Sequence, residues 1–255
     1  TTLLRLLAGI LDPSTGTVFL GGVSIKPIRR HLARWVGYLP QDFGLPMDLT
    51  AREYLEYYAL LYNIGTRAER RLRINLLLDE VGLDANADKK IGGYSGGMRQ
   101  RAAVARTLLR LPPVIIVDEP TVGLDPRERI RFRNLLGQLA KTRVVLFSTH
   151  VVEDVAVACE RVIVLARGSM VFDGRPSLLA DEAAGRVWVA RLNPEEEAHL
   201  PEDALIVDRV PETDGASRVR ILCEQQPHPG AHPADPTLED GYLRLVGFRG
   251  GKRTE

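Results

Sequence analysis

The sequence predicts an α/β fold built around a parallel sheet. Val114–Val117 and Val144–Phe147 are continuous apolar runs, which is typical of strands with both faces covered. A helical pattern over 126–141 separates them, and a strand–helix–strand crossover joins parallel strands. After about Gly185 the pattern changes to alternating apolar and polar residues, which predicts half-exposed strands. We therefore expect a parallel-sheet domain over 1–184 and a small accessory α+β extension over 185–255.

The amino-terminal segment predicts one helix, a hairpin and a strand. Leucines recur through 2–8, and Gly9 ends that helix. Two short apolar runs flank Gly21-Gly22, which predicts a hairpin of strands 17–20 and 23–25. A further strand is expected over 35–39, just before Pro40 and Gln41.

A helical subdomain is predicted over about 45–110. Thr50 and Glu53 have the spacing of a capping box, which is worth about 1 kcal/mol, so a helix begins at Ala51. We expect helices over 51–62, over 66–81, and from Gly97 through Leu111, where Pro112 stops the last one.

The rest of the chain alternates short elements. We expect a helix over 152–159, strands over 161–166 and 170–172, strands over 187–192, 204–210 and 217–223, a linker over 225–236, and a final helix over 237–246.

Composition excludes several classes of function. Lys and Arg total 34 against 33 Asp and Glu, so the net charge of +1 gives no bulk attraction to nucleic acid or to an anionic membrane. Cys159 and Cys223 have no metal or redox spacing and are expected to be free thiols in a reducing cytoplasm. No apolar run approaches the roughly 18 residues of a membrane span, so a membrane process would need another chain.

Two segments carry the chemistry. Ser95, Gly96 and Gly97 open a helix, and a helix N-terminus with glycines presents free N–H groups and a partial positive charge to a phosphate. Asp118 and Glu119 follow the apolar run Val114–Val117, so that strand delivers two adjacent carboxylates. This combination is typical of nucleotide chemistry.

The segment 94–101 (YSGGMRQR), followed by 114–126 (VIIVDEPTVGLDP), resembles the ATP-binding subunits of ABC transporters. The resemblance covers residues 1 to about 176 and implies a P-loop NTPase-type core with ATP and Mg²⁺ as ligands. It implies that Asp118 holds Mg²⁺ and that Glu119 polarises the attacking water. Asp125 matches the position that runs along the dimer seam.

Further roles are implied by the same resemblance. His150 follows the next core strand, as the family's switch histidine does, and would hydrogen-bond the γ-phosphate. Gln41 would contact Mg²⁺ and the attacking water. Ser95, Gly96 and Gly97 would close on ATP bound by the opposite protomer. The chain departs from the commonest form of that motif in Tyr94 and Met98, which replace Leu and Gln.

Thr1 and Thr2 resemble the last two positions of the phosphate-binding motif G-x-x-x-x-G-K-[ST]-T, with Thr1 as a Mg²⁺ ligand. Taken alone, Thr1 is more typical of a helix N-cap, but the motifs downstream favour the end of a phosphate-binding loop. We expect the motif to begin before Thr1, and therefore weak or absent ATP hydrolysis by the chain as written.

The resemblance implies ATP hydrolysis that powers export through separate transmembrane permease subunits. It implies a homodimer or a paired ABC ATPase subunit at the cytoplasmic face of the membrane, with no nucleic-acid partner. The tail resembles the extension of bacterial multidrug-type exporter ATPases. Two alternatives stay open: a non-catalytic fragment of such a subunit, or a soluble ABC ATPase outside transport. The second is disfavoured because only 54 positions separate Gln41 from Ser95 (95 − 41), too few for long coiled coils.

Overall fold

The computed structural model describes residues 1–247, which form two compact units: the first spans Thr1–His150 and the second begins at Val151. The last eight residues of the predicted extension, 248–255, lie outside the described residues. No helix within 1–247 is both long and apolar enough to cross a membrane.

The first unit is an α/β assembly around a parallel sheet. Its elements, in chain order, are α1 (Thr2–Leu7), β1 (Phe19–Leu20), β2 (Val23–Ser24), β3 (Val36–Leu39), α2 (Ala51–Leu61), α3 (Arg67–Glu80), α4 (Gly96–Leu108), β4 (Val114–Val117), α5 (Pro126–Ala140) and β5 (Val144–Phe147). β1 and β2 form an antiparallel hairpin, and the sheet order is β3-β4-β5 with both pairs parallel. The predicted α/β fold with a parallel sheet is therefore confirmed.

Capping residues set where the long helices begin. Thr50 accepts a hydrogen bond from the Glu53 amide, and the Glu53 side chain accepts one from the Thr50 amide, so the predicted capping box of α2 is present. Thr66 and Glu69 make the same box at α3. Each box satisfies backbone donors that a helix start leaves unpaired.

One large apolar core joins the helices to the sheet. It contains the fully buried side chains of Tyr54 and Leu55 from α2, Leu77 and Leu78 from α3, and Phe132 from α5. Because α4 is buried along most of its length between these helices and the sheet, the position of its first residue is closely fixed.

Two expectations for this unit were wrong. The helix predicted to run through Leu111 ends at Leu108, and Leu111 adopts a left-handed φ of 53° before Pro112. A residue before proline disfavours the helical region, so the chain leaves the helix early. β5 was expected to have both faces covered, yet its first residue, Val144, is 63% exposed, and the three residues that follow are only partly buried.

The second unit combines a hairpin, an antiparallel sheet and short helices. Its elements are α6 (Val152–Ala158), β6 (Val162–Ala166), β7 (Ser169–Gly174), α7 (Pro176–Asp181), β8 (Val187–Leu192), α8 (Pro194–Ala198), β9 (Leu205–Pro211), β10 (Ser217–Leu222), β11 (His232–Pro233) and α9 (Leu238–Gly247). β6 and β7 pair antiparallel, and the four-stranded order is β11-β8-β10-β9.

The segment 225–236, predicted as a linker, contains β11. Its loop is held by the Gln226 side-chain amide, which donates to the Ala231 carbonyl at 2.9 Å, and Ala231 is buried. This places His232 opposite Val189 on the edge of β8. The prediction of a plain linker was therefore wrong, because a two-residue strand has no detectable alternation.

Candidate functional site

The carboxyl ends of the three parallel strands lie side by side. Leu39, Val117 and Phe147 are register partners at the ends of β3, β4 and β5. The Asp118 amide donates to the Leu39 carbonyl at 2.9 Å, and the Ser148 amide donates to the Val117 carbonyl at 3.0 Å. The residues that follow the strands therefore share one edge of the sheet, where ligands bind in open α/β sheets.

Asp118 is a buried carboxylate at this edge. It is 2% exposed, and the Ser148 hydroxyl donates to its Oδ1 at 2.7 Å. The Tyr38 hydroxyl donates to Oδ2 at 3.4 Å. Burial raises the pKa of Asp118, but hydrogen bonds from Ser148 and Thr1 outweigh it, so the pKa lies below its ordinary value. The group is a carboxylate at neutral pH.

Thr1 lies beside Asp118. Its backbone nitrogen is 3.6 Å from the Asp118 Oδ1. Thr1 occupies the N-cap position of α1, but its side chain makes no capping hydrogen bond and instead bonds Asp118. Thr2 begins α1 and is exposed. The structure thus brings Thr1, but not Thr2, against the acidic strand end.

The oxygen atoms at this edge of the sheet are suitable ligands for Mg²⁺. Magnesium prefers oxygen ligands and is usually held by one or two carboxylates together with substrate phosphates. Asp118 supplies an ionised carboxylate, and Thr1 supplies a hydroxyl next to it. Gln41, which follows β3 by two positions and is exposed, supplies an amide oxygen on the same edge. These residues fit the ion that the sequence implies.

Glu119 and His150 form a contact. The Nδ1 of His150 lies 2.9 Å from the Oε2 of Glu119, and their side chains are 69% and 20% exposed, respectively. Glu119 has a φ of 48°, in the left-handed region that residues other than glycine rarely adopt. Its amide donates to the Ser148 Oγ at 2.9 Å. The predicted catalytic pair is thus assembled, with the carboxylate reachable from solvent.

The start of α4 presents backbone donors. Ser95 is the N-cap, and its Oγ accepts a hydrogen bond from the Met98 amide at 3.2 Å. Gly96 and Gly97 form the first two helical positions. A helix start of this kind offers N–H groups and a partial positive charge to an anion.

Buried side chains tie α4 to the segment that follows β4. Gln100 donates to the Pro120 carbonyl, and Arg101 donates to the Glu128 Oε2 at 2.5 Å. Asp125 caps α5, because its Oδ1 accepts from the Arg127 and Glu128 amides, each at 3.0 Å. In the described chain the carboxylate of Asp125 therefore stabilises a helix start, and its predicted place at a dimer seam stays a prediction.

A cleft of about 540 Å³ connects several of these segments. It is lined by Gln41, Asp42, Phe43, Gly44, Leu45, Met47, Gly96, Arg99, Gln100, Glu119, Val122, Gly123 and Leu124. Among the described residues its lining includes Gln41, Glu119 and Gly96 but not Thr1 or Asp118. The cleft therefore flanks the acidic edge and reaches the start of α4.

Sequence reasoning missed Ser148 and Glu128 as site residues. Ser148 touches both Asp118 and Glu119, and Glu128 is 8% exposed against α4. Ser148 could have been predicted as a site residue, because it directly follows β5 at the same edge of the sheet. Nothing in the local pattern of α5 distinguishes Glu128 from its charged neighbours.

The fold and this edge define an ATP-binding domain of the P-loop NTPase class. The family profile described as "ABC transporter" matches residues 1–122. The Nod factor export ATP-binding protein I of Burkholderia orbicola is 32% identical, over 97% of this chain and 84% of that protein. The ABC transporter ATP-binding protein YxlF of Bacillus subtilis, itself uncharacterised, is 37% identical over 79% of this chain and 66% of that protein.

A solved structure gives the same result. CbiO1 from Clostridium perfringens, part of the ABC transporter complex CbiONQ, matches with a TM-score of 0.63 and 27% identity, over 70% of this chain and 73% of that one. The chain belongs to the ATP-binding proteins of the ABC transporter family, and it is an ABC-type ATPase.

Proposed function

We propose that the intact protein hydrolyses ATP to power export through separate membrane subunits, as one of two ATPase protomers at the cytoplasmic face of the membrane. The observation that carries the proposal is the convergence of Asp118, Glu119 and His150 at the carboxyl edge of the β3-β4-β5 sheet. Export is supported by the relatives named Nod factor export ATP-binding protein I, which the chain matches over nearly its whole length.

Each residue at the edge has a defined task in this proposal. Glu119, whose carboxylate is held by His150 at 2.9 Å, accepts a proton from the water that attacks the γ-phosphate. His150, which is more exposed than Glu119, donates a hydrogen bond to an oxygen of the γ-phosphate. Ser95, Gly96 and Gly97 supply the amide donors that close on the ATP held by the other protomer, along a seam that includes Asp125.

Thr1, Asp118 and Gln41 would hold Mg²⁺, which neutralises charge on the phosphates when it is bound. The low pKa of Asp118 keeps that carboxylate ionised and ready as a ligand. Thr2 would contact the phosphates themselves. The contribution of this chain to the metal site would therefore be the oxygen atoms of Thr1, Asp118 and Gln41.

The test is phosphate release by the protein at its full natural length. We expect Glu119→Gln to slow hydrolysis by about 10²–10⁴-fold, because the general base is lost. Binding of a fluorescent ATP analogue should persist, since the amide keeps the shape of the side chain. The matched control is Glu202→Gln, at an exposed position of the second unit, which should hydrolyse ATP at the wild-type rate.

Two results would contradict the proposal. The first result is ATP hydrolysis by Glu119→Gln at the wild-type rate, which would show that Glu119 is not the general base. The second result is a purification in which the tagged full-length protein, extracted from its own membranes with detergent, retains no integral membrane protein. This result would contradict a permease partner and therefore the export function.

A further inference from the structure

Ser148 bridges the carboxylate of Asp118 and the backbone amide of Glu119. Its hydroxyl donates to the Asp118 Oδ1 at 2.7 Å and accepts from the Glu119 amide at 2.9 Å. The single hydroxyl proton is directed to the carboxylate, so the lone pairs remain available to the amide. Both distances are those of well-formed hydrogen bonds.

The backbone of Ser148 is itself fixed. Its amide donates to the Val117 carbonyl at 3.0 Å, which continues the pairing of β4 with β5 by one residue. The hydroxyl is therefore held by the sheet and not by a flexible loop. Its two partners are the residues that leave the adjacent strand.

Glu119 needs such a support more than its neighbours do. With a φ of 48° it lies in a sparsely populated region, and such a conformation persists when the surrounding structure holds it. The bond from its amide to Ser148 is one such constraint. The same conformation directs the Glu119 carboxylate to His150, two positions beyond Ser148.

We propose that Ser148 is a positioning residue for ATP hydrolysis, whose one hydroxyl sets Asp118 and Glu119 relative to each other. The inference rests on the proposed function, since it assigns Asp118 to the metal and Glu119 to the water. Ser148 does not touch the reacting atoms. It acts by holding the Asp118 carboxylate and the Glu119 backbone in the arrangement that the reaction uses.

The kinetic test compares Ser148→Ala with Ser148→Thr in the full-length protein. We expect Ser148→Ala to lower kcat about 10- to 100-fold, the range for losing a residue that orients a metal ligand. KM for ATP should change little, and the Mg²⁺ concentration for half-maximal rate should rise. Ser148→Thr keeps the hydroxyl and should recover most of kcat. The control is Ser24→Ala on the β1–β2 hairpin, with wild-type kinetics expected.

A second measurement does not depend on activity. Hydrogen exchange of the Glu119 amide, followed by NMR in nucleotide-free protein, should be faster in Ser148→Ala than in wild type. It should be slow in Ser148→Thr and Ser24→Ala. Faster exchange confined to the site, with an unchanged melting temperature, separates positioning from general loss of stability.

The outcomes are distinguishable from failure of the proposed function. If wild type does not hydrolyse ATP, the proposed function fails, while amide exchange still decides the Ser148 contact. If wild type hydrolyses ATP and Ser148→Ala does so equally well, only the inference on Ser148 is overturned. It is also overturned if Ser148→Thr is as slow as Ser148→Ala, or if exchange at Glu119 is unchanged in Ser148→Ala.

Discussion

At the scale of single residues, Gly96 and Gly97 face different surroundings. A Cβ added to Gly97 would lie 2.0 Å from the Glu128 Oε2 and 2.8 Å from its Cγ. Glu128 cannot move aside easily, because Arg101 and Arg131 hold its carboxylate at 2.5 and 2.8 Å. A Cβ on Gly96 would meet only the Leu124 Cδ2, at an ordinary 3.8 Å.

We therefore expect Gly97→Ala to destabilise the protein by about 1–3 kcal/mol, the range for overpacking a tight site. Gly96→Ala should be neutral or stabilising by up to about 1 kcal/mol, because alanine is a better helix former than glycine. The measurement is urea unfolding of both variants beside wild type. Equal stability of the two variants would contradict the assigned role of Glu128.

The sequence predicted the chemical groups of the site better than their supports. Asp118, Glu119 and His150 follow apolar strands, and parallel strands end at one edge, so their proximity follows from the pattern. Contacts such as Tyr38 to Asp118, or Ser148 to Glu119, depend on strand register and on a backbone angle. Neither is encoded in the residues beside them.

At the scale of elements, prediction succeeded where a local signal was strong. The capping box of Thr50 and the proline at the first position of α5, Pro126, fixed helix starts to within a residue. The short elements were missed: the 3₁₀ turn Arg29–Arg34, α7 and α8. α7 and α8 complete hardly two turns and lack the leucine pattern that predicted the equally short α1, so they depend more on tertiary packing.

Helix α9 is attached to the antiparallel sheet by a buried charge pair. Asp240 is fully buried and accepts hydrogen bonds from Arg220 at 2.6 Å and from the Thr237 amide at 2.7 Å. Burial raises the pKa of Asp240, but the bonds from Arg220 and Thr237 outweigh it and hold the pKa below its ordinary value. The stability that this group contributes is therefore present above the unfolded pKa of about 3.9.

We expect Asp240→Asn to lower the free energy of unfolding by about 1.5–3 kcal/mol at pH 7, the range for hydrogen bonds to a charged group. Because a depressed pKa stabilises only the ionised form, the difference from wild type should shrink as pH falls below about 3.9. Denaturant unfolding from pH 7 to pH 3 measures it, with the exposed Asp208→Asn as control. If the difference in unfolding free energy between Asp240→Asn and wild type grew as the pH fell, the ionised Asp240 would not be the stabilising form.

At the scale of the whole molecule, the chain divides at His150 and Val151 into two compact units. The change of pattern near Gly185 led us to expect a boundary after residue 184, and that boundary stays a prediction. Within the second unit, α9 contacts α6, α7 and β6, which precede Gly185 in sequence. A change in strand pattern marks where one kind of sheet ends, but compactness also depends on where a distant helix packs.

The proposed pairing of two protomers predicts a change of mass with nucleotide. Glu119→Gln at full natural length should bind Mg²⁺–ATP without turnover and double its molar mass in light scattering. Gly96→Asp in the same background should remain monomeric while still binding ATP. Aspartate is favourable in the first turn of a helix, so α4 should persist, whereas its charge repels a phosphate from the other protomer. Doubling of mass in both variants would show that the start of α4 takes no part in the dimer.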